Sequence, residues 1–194
     1  MAKNYEKSIS TGVGKAYYAI INSSGTCETP KELGDIISFS VDPSESTNSF
    51  WAGDRQVIID ASTNITGNIV VPALKNEVLC DLFGYEMSTD GGVIYNTRKA
   101  RPNMALLLVQ NNYAEVQDFI TLYKTRLQIG GKTGSTKTDS ITYGNVTLNF
   151  DVMLESDGVW MHVVSSDEAD YKEGFETTFV TTAPEKPTVK PIEQ

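Results

Sequence analysis

The sequence predicts a mainly β protein, a β-sandwich or barrel with one α-helix on its flank. Several segments alternate apolar and polar residues, which is the pattern of strands that bury one face. Turns rich in glycine and serine separate these segments, and one segment has helical spacing. A chain of 194 residues suits one domain and buries roughly 70% of the surface of its unfolded form.

The first predicted strand is the aromatic and β-branched run KAYYAII at 15–21, which ends at the turn NSSGT. A second strand is predicted at 33–41. Its apolar face would carry Leu33, Ile37, Phe39 and Val41, with Ile36 as the misfit.

Residues 42–55 interrupt the alternation and predict a long loop. Their sequence is DPSESTNSFWAGDR, in which Phe50 and Trp51 are the large apolar residues. Long irregular insertions are uncommon in compact domains and are usually functional. Aromatic residues on them often anchor contacts between proteins. The alternative is that Trp51 folds back onto its own core.

From residue 56 to 71 the alternation resumes, as one long strand or as a hairpin that turns near 62–64. One face would hold Val57, Ile59, Ala61, Ile65 and Ile69. After Pro72 the spacing becomes helical, with apolar residues at Leu74, Val78, Leu79, Leu82 and Phe83. This predicts a helix over about residues 73–83, capped by Gly84.

Further strands are predicted around VIYN after Gly91-Gly92, at 104–110 and at 115–129. A glycine-rich loop at 130–140 precedes a strictly alternating strand from Val146 to Leu154. The turn at 156–158 predicts a hairpin into VWMHVVS. Residues 1–13 and the proline-rich residues 183–194 are predicted to be arms, which leaves a β domain at 14–182.

No coherent catalytic, cofactor or metal site is predicted. His162 is the single histidine and is expected to be a strand residue with a satisfied hydrogen bond. The run GGKT at 130–133 imitates a phosphate-binding loop, but Arg126 stands where that motif needs glycine. Asp167, Glu168 and Asp170 lack the pattern of a calcium loop. An enzyme is therefore not expected.

Charge and cysteine usage argue against a nucleic-acid-binding protein, a disulfide-bonded protein and an immunoglobulin domain. The formal net charge is -9, whereas proteins that bind nucleic acid usually show a basic surface. Cys27 and Cys80 are the two cysteines, and with no export signal at the N-terminus they are expected to be reduced. The order Cys27, Trp51, Cys80 imitates an immunoglobulin domain, but Cys80 falls in the predicted helix.

Four segments together resemble a known family. They are the strand with Tyr17 and Tyr18, the run IISFSVDPSESTNSFWAGDRQV, the run ITGNIVVPALKNEVLCDLFGYEMSTDGGVIYN and the final LESDGVWMHVV. Over about residues 10–182 the chain resembles the major tail proteins of bacteriophages with long non-contractile tails. The features most similar are the strand that enters a helix ending in Leu-Phe-Gly-Tyr and the Asp-Gly-Gly-Val that follows.

The resemblance implies a structural virion protein of the phage tail. Six subunits would form a ring, inner strands would join around a channel, and stacked rings would form the tube through which DNA leaves the head. Arms and an early loop would bridge rings, here 1–13, 183–194 and the 42–55 loop with Phe50, Trp51, Asp54 and Arg55. The implied partners are further copies of the chain, a tape measure protein, a tail terminator and a distal tail protein. DNA would pass without specific binding, no membrane is involved, and the chain would be made in the host cytoplasm.

Two polar faces are candidates for the channel lining, since polar or acidic faces would not hold DNA. One comprises Asp60, Ser62, Asn64 and Thr66, and the other Thr147, Asn149, Asp151 and Glu155. The alternative, that these faces meet outer solvent, stays open. The other function left open is a β-sandwich binding module, such as a virion decoration, receptor-binding or adhesin-like protein.

Overall fold

The computed structural model describes residues 5–52, 54–96, 98–130 and 144–188, and only the backbone of residues 5, 45–52 and 56–63. Residues 131–143, which hold most of the predicted glycine-rich loop, lie outside the described residues. The described chain is mainly β, as predicted, with two α-helices. The strands are β1 Ser10–Ile21, β2 Lys31–Asp35, β3 Ser38–Ala52, β4 Arg55–Val71, β5 Glu86–Met87, β6 Val93–Ile94, β7 Asn103–Asn112, β8 Gln117–Ile129, β9 Val146–Val152 and β10 Met161–Ser165, and the helices are α1 Asn76–Phe83 and α2 Phe175–Thr181.

One antiparallel sheet of eight strands dominates the fold. Its order is β2-β1-β7-β8-β9-β4-β3, and β10 pairs with β8 outside that path. Along one edge β8 pairs with β7; along the other it pairs with β10 over residues 118–122 and with β9 over residues 125–129. The sheet therefore forks at β8.

A register irregularity marks the fork. Leu106 pairs with Leu122 and Met104 with Thr125, so β8 carries one extra residue between those pairs. An extra residue of this kind bends a strand and changes which side chains face inward. Before the irregularity Ile120 and Leu122 point into the main core, and after it Leu127 does.

The two halves of the forked sheet share one core, which makes the fold a β-sandwich. The half formed by β1, β7 and the start of β8 faces the half formed by the end of β8, β9 and β4. α1 closes this core with Leu82 and Phe83. The fully buried side chains include Tyr18, Ile65, Ile69, Leu106, Leu108, Leu122, Leu127, Leu148 and Phe150.

A second, smaller apolar cluster lies on the outer face of the first half. There α2 packs Phe179 against Ala19, Ala105, Leu107 and Phe119. Phe119 is surrounded by the rings of Tyr171, Phe175 and Phe179 at centroid distances of 5.2 to 6.3 Å. β7 is therefore buried on both faces, which explains why its sequence is almost continuously apolar.

Four predictions about the elements need correction. The predicted helix begins at Asn76 rather than near residue 73, although Gly84 ends it in the left-handed conformation as expected, at φ 67°. The predicted strand 33–41 is broken at Ile36 and Ile37, and Ile37 is 49% exposed. The turn at 156–158 leads into β10, but β10 pairs with β8, so the predicted hairpin with β9 is wrong. α2 was not predicted.

The predicted loop at 42–55 is also wrong as an irregular segment. β3 and β4 form one long hairpin whose residues pair from Ser38 and Val70 to Ala52 and Arg55. Of the two possibilities for residues 56–71, the structure has the single long strand. The residues of β3 in this stretch are mostly polar, and a polar run without alternation predicts a loop. Pro43 is tolerated because β3 lies at the edge of the sheet.

The predicted arms are partly described. At the N-terminus Tyr5–Ser8 form one 3-10 turn, and residues 10–13 already belong to β1. At the C-terminus residues 183–188 are described and have no regular secondary structure. Residues 1–4 and 189–194 lie outside the described residues.

We expect Gly67→Ala to destabilise the fold by about 1–3 kcal/mol, because overpacking a filled core costs that much. Gly67 faces the core from β4, and a Cβ there would overlap the Phe150 ring and the backbone oxygen of Ser40. The measurement is the free energy of unfolding in urea. The matched control is Gly12→Ala in β1, where a Cβ meets nothing within 4 Å. Equal stability of the two variants would contradict this packing.

Candidate functional site

The outer surface of the second half-sheet is polar across four strands. In the ladder Thr66 pairs with Asp151 and Asn68 with Asn149. On their other side Asp151 pairs with Arg126 and Asn149 with Gln128 of β8. Directly paired residues share one face of a sheet. We call this surface the polar face; its described polar members are Ser38, Ser40, Asp42 and Ser44 on β3, Asn64, Thr66 and Asn68 on β4, Thr147, Asn149 and Asp151 on β9, and Arg126 and Gln128 on β8. Val70 of β4, paired with Ser38 and Thr147, is an apolar residue on the same face.

Hydrogen bonds link neighbouring strands of the polar face. The Asn68 amide donates to Ser40 Oγ at 2.9 Å, and Ser40 Oγ donates to Asp42 at 2.9 Å. The Gln128 amide donates to Asp151 at 2.7 Å. These bonds hold short polar side chains against the sheet, so the face presents amides and hydroxyls with little freedom.

Three charged residues belong to the described polar face. Asp42 and Asp151 are acidic, and Arg126 is the one base among its described members. The Arg126 guanidinium donates through Nε and Nη2 to Asn103 Oδ1, at 3.1 and 2.9 Å. The described face thus carries a formal charge of -1, from two carboxylates and one guanidinium.

The structure brings five of the eight predicted lining residues together. Asn64, Thr66, Thr147, Asn149 and Asp151 lie on adjacent strands of the polar face. Local patterns do not reveal that β4 and β9, which are far apart in the chain, pair with each other. Members on β3 and β8 were missed, although the alternation of Ser38 and Ser40 was a signal for β3.

The other three predicted lining residues are Asp60, Ser62 and Glu155, and none of them is a described member of the polar face. The ladder skips from Thr63 to Ala61 opposite Glu45 and Ser46, so β4 has an extra residue at Ser62 and strict alternation stops there. The side chains of Asp60 and Ser62 lie outside the described residues. The alternation predicted that Glu155 continues the polar side of β9. Glu155 instead lies beyond the last residue of that strand, Val152, so this prediction is wrong.

The β3–β4 hairpin extends past the rest of the sheet. β9 pairs with β4 from Ile65 onward, whereas residues 55–64 of β4 pair with β3 alone. We call residues 45–63 the projecting hairpin; at about 3.3 Å per residue its two strands are about 26 and 30 Å long. Isolated two-stranded hairpins are marginally stable in water, so this one needs a further surface to pack on.

The predicted loop contacts fall at the tip of the projecting hairpin. Phe50 pairs with Val57 and Trp51 with Gln56, and Arg55 closes the ladder opposite Ala52. Asp54 and Arg55 are exposed. The side chains of Phe50 and Trp51 lie outside the described residues, so their predicted role remains a prediction.

Glu155 anchors the C-terminal segment instead. Its two oxygens accept from Lys124 at 2.8 Å and from Lys186 at 2.7 Å, and Lys186 also reaches Asp157 at 2.6 Å. The hydrogen bonds from Lys124 and Lys186 lower the pKa of Glu155 to about 2. We call residues 183–187 the strap, because Lys186 ties them to the turn between β9 and β10.

The remaining sequence candidates form no site among the described residues, and residues 131–133 of the GGKT run lie outside them. Among the described residues no three His, Cys, Asp or Glu side chains group closely enough to hold a metal ion. His162 lies on β10 as predicted, but its expected hydrogen bond is absent from the described part of the chain, and burial lowers its pKa. Cys27 and Cys80 are free and half-buried. No described helix is long and apolar enough to cross a membrane.

Comparisons with known proteins give likenesses of fold only. No protein-family model and no curated protein matches the chain. A chain of an extracellular contractile injection system, the PVC sheath-tube complex in its extended state, has a TM-score of 0.47 and 10% identity, covering 86% of this chain and 97% of that chain. A chain of the anti-feeding prophage (AFP) baseplate has a TM-score of 0.40 and 11% identity, covering 78% and 92%.

The ion pairs of Glu155 should add stability that acid removes. A carboxyl whose folded-state pKa is lowered stabilises the fold above its ordinary pKa of 4.5, and loses that effect as the pH falls through about 2. Because Glu155 is 40% exposed, we expect Glu155→Gln to cost at most about 1 kcal/mol near pH 6. The difference from the wild type should shrink between pH 4.5 and pH 2 in urea unfolding.

The control is Glu28→Gln, which removes an exposed carboxylate with no ion pair in the described part of the chain. A Glu155→Gln cost that stays constant down to pH 2 would show that the ion pairs are not its source.

Proposed function

We propose that this chain is a self-assembling structural subunit of a phage tail tube, in which stacked rings form the conduit for DNA. The observation that supports this best is the polar face, a four-strand surface opposite the core whose chemistry suits a channel lining. The family resemblance in the sequence supports the same function, with hexameric rings as its expected form.

The composition of the polar face favours passage of DNA over binding. Proteins hold DNA mainly by neutralising phosphates with lysine and arginine. The described polar face offers one arginine, already bonded to Asn103, beside two carboxylates. Amides and hydroxyls in between can exchange hydrogen bonds with water, so a polyanion would meet a hydrated surface without strong attachment points.

Free strand edges provide the means of ring formation. β3, β2 and β10 each pair on one edge only within the described chain. Exposed edges invite pairing with another chain. If different edges of neighbouring copies meet head to tail, the contact closes into a ring, and the half-sheets join around a central channel.

The projecting hairpin would supply contacts between rings. Its described backbone pairs with no third strand, and the 42–55 region is the part that the sequence predicts to bridge rings. Residues 1–13 and 183–194 are the proposed additional bridging arms. Tape measure, tail terminator and distal tail proteins would be the other partners, in a virion tail.

Negative-stain electron microscopy of the concentrated pure chain tests the proposal. We expect rings or tubes with a central channel. A persistent monomer that instead binds host cells or carbohydrate would favour the binding module and contradict the tube.

Removing the projecting hairpin should abolish stacking and spare the fold. In the designed variant Asn-Gly replaces residues 45–63 and joins Ser44 to Asn64, which already pair, through a turn that suits a two-residue hairpin. We expect the thermal midpoint to change by less than about 4 °C, the shift that accompanies roughly 1 kcal/mol. Tube length in micrographs should collapse to single rings or monomers.

Lys172→Ala, a substitution in an exposed loop, is the control and should leave tubes intact. Unfolding of the shortened variant would show that the hairpin belongs to the core, and normal tubes would remove its role in stacking.

Thiol labelling can locate the polar face in the tube. In a background of Cys27→Ala and Cys80→Ala, Thr147→Cys should react with a bulky polyethylene glycol maleimide in the free subunit, because Thr147 is exposed there. In assembled tubes the reaction should be strongly slowed, since the reagent must enter the channel. Thr177→Cys on the exposed side of α2 is the matched control and should stay reactive if α2 faces outward. Equal labelling of both sites in tubes would place the polar face on the exterior.

A further inference from the structure

A cavity lies between α2, the strap and the outer face of the first half-sheet. Its volume is about 280 Å³. Leu107 and Phe179 form an apolar floor, and Pro184 of the strap forms one wall. None of the described polar-face residues lines this cavity, although the strap belongs to the proposed bridging arm 183–194.

Three polar groups line the same cavity without partners. Thr121 and Tyr123 on β8 are only 7% and 6% exposed, and His162 lies beside them on β10. Within the described residues neither hydroxyl forms a hydrogen bond, and the imidazole forms none either. Their polar atoms are open to the cavity, where they can exchange hydrogen bonds with water or with a bound molecule. Groups that converge on a cavity in this state are suited to a ligand.

The charges around the cavity select against ions. Glu185, at the exposed rim, is the one charged residue among the described lining. Lys186 is committed to Glu155 and Asp157. An anion would therefore meet no free cation among the described lining residues, and a cation would have to shed water against an apolar floor.

We propose that this cavity is a binding site for a small uncharged molecule that combines a ring with a hydroxyl group. An apolar cavity of about 150 Å³ can bind benzene. A volume of about 280 Å³ is therefore large enough for a single ring. The ring would lie on Leu107 and Phe179, and the hydroxyl would exchange hydrogen bonds with Thr121, Tyr123 and His162. Pockets with an apolar lining and a few convergent polar groups are the usual form of small-molecule sites.

Phenol is the probe. Toluene, which has nearly the same shape but no hydroxyl group, is the control ligand. Binding to the unassembled chain is followed by calorimetry and by the imidazole proton resonances, which belong to His162 because the chain has one histidine. For ligands this small we expect a Kd of roughly 0.1–1 mM for phenol. Toluene should bind about 5–10-fold more weakly, the effect of one lost hydrogen bond.

The variant Thr121→Val with Tyr123→Phe removes both hydroxyls at nearly constant shape and should abolish the preference for phenol. Thr177→Val, which lies on α2 outside this lining, is the matched control and should preserve it. If the double variant does not fold, the comparison of phenol with toluene on the wild type still shows whether the hydroxyl group contributes to binding.

Absence of any saturable shift of the His162 resonances with phenol would overturn the proposal, as would equal affinity for toluene. Shifts that follow only protein concentration would also overturn it, by assigning the cavity to a contact between subunits. Whether tubes form plays no part in these readouts, so failure of one proposal leaves the other intact.

Discussion

The irregularity in β8 is the constraint on which the rest of the fold depends. The amide of Tyr123 donates to Trp160, and the carbonyl of Lys124 accepts from Met153, so adjacent residues serve the two branches of the fork. One extra residue there lets a single strand bury even-numbered side chains in one layer and odd-numbered side chains in the other. Without it the sheet could not close over its own core, and the polar face, the cavity and the projecting hairpin would lose their relative positions.

Local patterns predicted the layers but not the pairing. Alternation correctly assigned Ile65, Ile69, Leu148 and Phe150 to the core, because burial of one strand face is written in the sequence with period two. It could not show that β10 leaves β9 for β8, since that choice depends on the distant irregularity. α2 was missed because FETTFVT is rich in threonine and β-branched residues, which favour strands; its two phenylalanines four residues apart were the available signal.

The candidate site was predicted in part for the same reason. The alternation shows the polar residues of each strand separately. That β4 and β9 lie side by side and combine these residues into the polar face depends on long-range pairing, which a single sequence does not reveal. Serines and charged residues on β3 looked like a loop, because a hairpin that leaves the sheet has no buried face to impose alternation. The cavity gave no sequence signal: Thr121, Tyr123 and His162 are ordinary strand residues until the strap and α2 enclose them.

Alternate residues of β4 have different roles: one set packs in the core and the other forms the outward surface. Ile65, Gly67 and Ile69 are fixed by packing, Gly67 because the Phe150 ring occupies the space of a side chain. Asn64, Thr66 and Asn68 point the other way and contribute little to the core. The outward-facing residues of β4 can therefore be substituted one at a time, by evolution or by design. Such substitutions change the charge, polarity or reactivity of the surface and leave the fold unchanged.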